Sequence, residues 1–128
     1  MRKKTLFLPP AVLTGLLLAC FAVFVSSSQA TGHASEGLAL LKSKGCLRCH
    51  TTNGKPLVGP SYKGIYGKKE TVMVNGKPVV KTVDEKYLKF MITNPDVWVV
   101  KGYKPVMPKT PLTDEEVDAM IAYIKTLK

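Results

Sequence analysis

Cys46, Cys49 and His50 stand together in the stretch SKGCLRCHTTNG, Ser43 to Gly54. Two thiols three apart, with an imidazole directly after the second, suit three chemistries: a redox dithiol, half of a zinc site, or a haem anchor. A haem anchor adds both thiols to the vinyl groups of one porphyrin and holds the imidazole against its iron. A thioredoxin-like dithiol requires a βαβ setting, and no strand pattern precedes Cys46. Structural zinc requires four ligands, and of cysteines and histidines the exported part offers only His33 besides these three. His33 lies near the expected start of the mature chain, where a solvated side chain is the plainer reading. The haem reading uses every residue of the motif.

The elements around the motif must position it. HASEGLALLKSKG reads as a helix beginning near Ser35, with Leu38 and Leu41 on one face and Gly45 ending it before Cys46. NGKPLVGPSYKGIYGKKE holds four glycines and two prolines in eighteen residues and reads as ordered loop. ETVMVNGKPVV alternates at Val72 and Val74 and turns at Asn75-Gly76, the signature of a hairpin. Thr82 and Glu85 suggest a capping box for a second helix to about Thr93, with Val83, Tyr87, Leu88 and Met91 inward. DVWVVKGYKPVMPKTP reads as loop again. Thr113 and Glu116 cap a last helix with Leu112 and Val117 as its staple, followed by Met120, Ile121 and Ile124 at helical spacing. Three helices, a hairpin and long loops are a poor inventory for a self-sufficient core, so a buried cofactor is expected to complete it.

The first residues read as an address. MRKK followed by the uncharged stretch 6–25 and SSSQA has the layout of an export signal, with a small-x-small site at Ser28 and Ala30. The apolar stretch is long enough to serve as a membrane anchor, and LLAC resembles a lipobox that would lipidate Cys20. Residues 1–30 are therefore expected to be a signal or anchor and residues 31–128 one small domain outside the cytoplasm, in the periplasm or on the outer face of the cytoplasmic membrane. With both motif cysteines attached to haem, no pair is left for a disulfide. The exported part carries 16 Lys and Arg against 9 Asp and Glu, a net +7. No basic patch interleaved with aromatics stands out, so nucleic acid is not expected; a redox protein with an acidic docking surface, or an anionic membrane, fits better.

The order GCLRCH, GPSYKGIYG, GYKPVMP, MIAYIKTL resembles a class I monohaem cytochrome c over the whole exported length. VDEKYL, NPDVWVVKGYKPVMP and the Asn-Gly hairpin bring the resemblance closest to the cytochrome c domain fused to subunit II of some bacterial terminal oxidases; the fused copper domain has no counterpart in these residues. The resemblance implies an all-α cytochrome c fold of three main helices around one covalent haem c, with the short hairpin as an insertion. It implies thioether attachment at Cys46 and Cys49, His50 as proximal iron ligand, and Pro60 as the carbonyl that accepts the imidazole N–H. Met107 is the distal ligand by resemblance, and also by elimination: Met91 and Met120 read as core, Met73 sits in the hairpin, and Met107 lies in a loop between Pro105 and Pro108. Gly37 and Tyr123 resemble the family's contact between first and last helices. Tyr66, Trp98 and Tyr103 are candidates for the pocket wall. The function implied is a one-electron carrier of an extracytoplasmic respiratory chain, not an enzyme, since both axial positions of the iron are filled. The alternatives are a haem subunit feeding an oxidase, reductase or dehydrogenase and, more remotely, a CxxC thiol oxidoreductase or metallochaperone.

Overall fold

Helix α1, Ser26–Ser43, leads into the cysteine motif. It starts well before Ser35, whose hydroxyl donates back to the Gly32 carbonyl, 2.9 Å, within the helix instead of capping it. This computed structural model describes residues 26–128, with side chains from residue 32; the expected signal or anchor stretch 6–25 and Cys20 lie outside the described residues. Gly45 ends the approach to the motif in left-handed conformation (φ +78°), a position that disfavours any residue with a Cβ. The 3-10 turn Cys46–Arg48 follows immediately.

After the loop, strands β1, Lys69–Val74, and β2, Lys77–Thr82, form the expected hairpin. Asn75 and Gly76 both take positive φ, +49° and +76°, as a two-residue hairpin turn of the left-handed kind requires. A third strand, β3, Trp98–Val100, then pairs antiparallel with β1, giving the order β2-β1-β3. The expectation of an all-α fold with a hairpin is thus corrected: among the described residues, three helices accompany a three-stranded antiparallel sheet. The WVV run that read as loop becomes strand because β1 offers a free edge at Val72 to Val74.

Helix α2, Glu85–Thr93, is capped by Asp84, whose carboxylate accepts from the Tyr87 N–H at 2.8 Å. The expected cap, Thr82, instead ends β2. Helix α3, Asp114–Thr126, has the capping box read from the sequence: Thr113 Oγ1 accepts from the Glu116 N–H and the Glu116 carboxylate from the Thr113 N–H.

Gly37 seats α1 against α3. A Cβ at that position would lie 2.0 Å from the Ala119 carbonyl oxygen and 2.8 Å from the Tyr123 Cβ, so the two helices meet only because the side chain is missing. Lys44 at the end of α1 adds an ion pair to Glu116, 2.7 Å. Leu41, Val72, Val83, Leu88, Val117, Met120 and Ile124 are buried together, so helices and sheet share one core.

Candidate cofactor site

The motif is shaped by backbone bonds. Arg48 N–H donates to Gly45 O (3.1 Å), and the N–H groups of Cys49 and His50 both donate to Cys46 O (3.2 and 3.0 Å). The chain then loops back so that Gly59 N–H donates to Cys49 O at 2.9 Å. That return lays Gly59 and Pro60 against the His50 ring. A Cβ on Gly59 would stand 2.5 Å from His50 Cε1, so only glycine permits the approach. His50 Nδ1 donates to the Pro60 carbonyl at 2.8 Å, which fixes the tautomer and leaves the Nε2 lone pair free. Burial lowers the His50 pKa, with the Pro60 bond opposing, so the ring is a neutral donor at physiological pH.

Cys46, Cys49, His50, Pro60 and Met107 all line one cavity of about 420 Å³. Its wall is largely apolar, with Leu88, Ile92 and Pro95 among the residues that close it. Trp98 and Tyr103 line it as well, whereas Tyr66 is exposed beneath Lys125, whose Nζ sits 5.3 Å from the ring. Met91, read as plain core, is half-buried and also faces the cavity, so the reading by elimination leaves two thioethers there; Met120 is fully buried and Met73 lies in β1. His33 is exposed and not among the lining residues.

Two residues of the site were not singled out from the sequence. Tyr62 is buried, at 7 % exposure, and its ring stacks on His50 with centroids 4.7 Å apart and 12° between planes. Its place two residues past Gly-Pro was the available signal. Glu70 brings a carboxylate to the cavity wall and accepts from the Tyr87 hydroxyl at 2.5 Å, and burial with that bond drives the phenol pKa up.

The donor set discriminates among the chemistries. Burial pushes the Cys46 thiol up, away from the thiolate that an attacking dithiol needs. Among the described residues, no three His, Cys, Asp or Glu side chains converge as a metal cluster. Two free thiols, a neutral imidazole with Nε2 available, and thioethers on an apolar cavity wall fit a covalently held iron porphyrin.

Comparison with known proteins agrees with that donor set. Residues 34–128 match the family model described as Cytochrome c. Cytochrome c2 iso-2 of Magnetospirillum molischianum is 38 % identical over 92 residues, covering 65 % of this chain and 91 % of the relative. Cytochrome c-551 of Stutzerimonas stutzeri is 33 % identical over 95 residues, covering 74 % and 80 % respectively. The solved structure of cytochrome cH from Methylobacterium extorquens superposes with a TM-score of 0.51 at 29 % identity, over 73 % of this chain and 97 % of that one. The chain belongs to the cytochrome c family, whose cofactor is haem c held covalently through cysteines spaced as Cys46 and Cys49 are.

Proposed function

We propose that the protein is a one-electron carrier with a single haem c, attached at Cys46 and Cys49 and ligated by His50 and Met107. Bound haem c supplies one reversible electron at its iron. The observation that carries the reading is the His50 Nδ1 to Pro60 bond inside a cavity shared with both cysteines and Met107. That bond raises the basicity of the imidazole and holds its Nε2 in one direction through either oxidation state. The cavity wall is largely apolar, and Met107 would supply a second donor to the iron of a bound haem beside His50, which suits electron transfer rather than substrate chemistry.

On this reading residues 31–128 form the carrier domain and residues 1–30 its export signal or membrane anchor, with the domain in the periplasm or on the outer face of the cytoplasmic membrane. Val58 and Val106, both well exposed, line the cavity beside exposed Lys104 and Arg48. An apolar mouth edged by positive charge supports docking of a redox protein with an acidic surface. The resemblance of VDEKYL and NPDVWVVKGYKPVMP to the domain fused to oxidase subunit II favours a terminal oxidase as the acceptor.

The test is a redox titration of the exported protein followed by its visible spectrum. A single one-electron wave from a covalently bound, low-spin haem supports the reading. A colourless protein, or a haem released by acid organic solvent, refutes it.

A further inference from the structure

We propose that Tyr62 is a positioning residue that sets the plane of the His50 imidazole. This inference rests on His50 being the proximal ligand and deepens that reading. A single hydrogen bond from Nδ1 to Pro60 O fixes one atom of the ring but leaves it free to turn about the N–H···O axis. Gly59 crowds the Cε1 edge and limits that turn without choosing a plane. The phenol ring, nearly parallel at 12° and 4.7 Å away, supplies the missing restraint, because any rotation of the imidazole drives its edge into the buried tyrosine.

The restraint is effective only if Tyr62 is itself fixed relative to His50, and the backbone provides that. Tyr62 N–H donates to the carbonyl of Thr51, the residue directly after His50, at 2.8 Å. Ser61, 8 % exposed, reinforces the tie: its hydroxyl donates to the same Thr51 carbonyl at 3.1 Å and accepts from the N–H groups of Gly54 (3.0 Å) and Lys63 (3.2 Å). Both rings are therefore mounted on backbone segments pinned to each other at Thr51.

The plane of an axial imidazole decides how its π orbitals meet those of the iron and hence how unpaired spin spreads over a ferric porphyrin. The four porphyrin methyl proton shifts report it directly. The experiment compares ferric holoprotein by proton NMR for wild type, Tyr62→Phe and Tyr62→Leu, with thermal unfolding recorded alongside. Tyr62→Phe keeps a stacked ring and should retain the order and spread of the methyl shifts. Tyr62→Leu fills the space without a ring plane and should reorder them or contract their spread. A Leu variant that loses stability but keeps the wild-type methyl pattern overturns the proposal, since Tyr62 is then only a core filler. If Tyr62→Leu yields no holoprotein, the wild type decides: cross-relaxation between Tyr62 and His50 ring protons supports the stack, and its absence overturns it. Failure of the underlying ligand reading looks different, because the wild-type protein would then show no hyperfine-shifted imidazole signals from His50.

Discussion

Met107 carries the sharpest test at the scale of single residues. A thioether is a soft, neutral donor that favours ferrous iron, so Met107→Ala should open the iron to exogenous ligands such as cyanide. Met107→His should keep it low-spin at a lower potential, by a sizeable part of the roughly 0.8 V that axial ligands span. Met91→Leu is the control, because Met91 reaches the same cavity from helix α2. It should leave spectrum and potential unchanged; if it alters them and Met107→Ala does not, the distal ligand is Met91. That Cys46, Cys49 and His50 share one cavity was legible in the sequence because they form a contiguous motif, whereas the Pro60 carbonyl beside His50 was indicated by the family resemblance. Tyr62 was not, because its role depends on a hydrogen bond to Thr51 that no spacing rule encodes. Met91 misled for the related reason that an inward helical position faces core or cavity alike.

Among the elements, the seating and capping of the helices yield three predictions. Gly37→Ala must push α1 off the Ala119 carbonyl and should cost about 3 kcal/mol in urea unfolding, the upper end of overpacking costs. Thr113→Ala removes the α3 cap and should cost about 1 kcal/mol. The Lys44 ammonium, and then the Thr113 N–H, hold the Glu116 carboxyl below its ordinary value of 4.5. A carboxyl with a depressed folded pKa contributes stability above its ordinary value and loses it as pH falls through the folded one. Glu116→Gln should therefore be less stable than wild type at neutral pH, with the gap closing in acid; a gap independent of pH would contradict the assignment. The well-capped α3 and the Asn-Gly hairpin were readable because their signals lie within a few residues. Strand β3 was not, since three residues become strand only by pairing with β1. The cap of α2 shifted from Thr82 to Asp84 because the sheet claims Thr82 as the last residue of β2.

At the scale of the whole molecule, core and cavity share their walls: Tyr62, Tyr87, Leu88 and Ile124 belong to both. A chain that cannot attach haem leaves this shared wall unsupported. The Cys46→Ala, Cys49→Ala double variant should consequently lack the cooperative thermal transition of the holoprotein, measured by circular dichroism. A cooperative, fully helical apo-form would show that the core closes alone. The net +7 of residues 31–128 gives the second expectation. Lys63, Lys68, Lys101, Lys104 and Lys109 are exposed in loops, and Lys69, expected in a loop, opens β1. If they steer an acidic partner, the association rate should fall several-fold as ionic strength rises to about 0.1 M, where the Debye length is about 10 Å. A flat rate would assign the lysines to solubility instead.

The seat of α1 on α3 also governs the order of assembly. Gly37 precedes the cysteine motif and Ala119 lies near the chain's end, so their contact is among the most sequence-distant in the fold and carries a high loop-closure cost. If residues 1–30 carry the chain across a membrane N-terminus first, Cys46 and Cys49 emerge before α3 is there to close over α1. The thiols are thus reachable while the chain is being delivered and half-buried once it is complete. On that order, covalent attachment of the cofactor would precede docking of the final thirteen-residue helix.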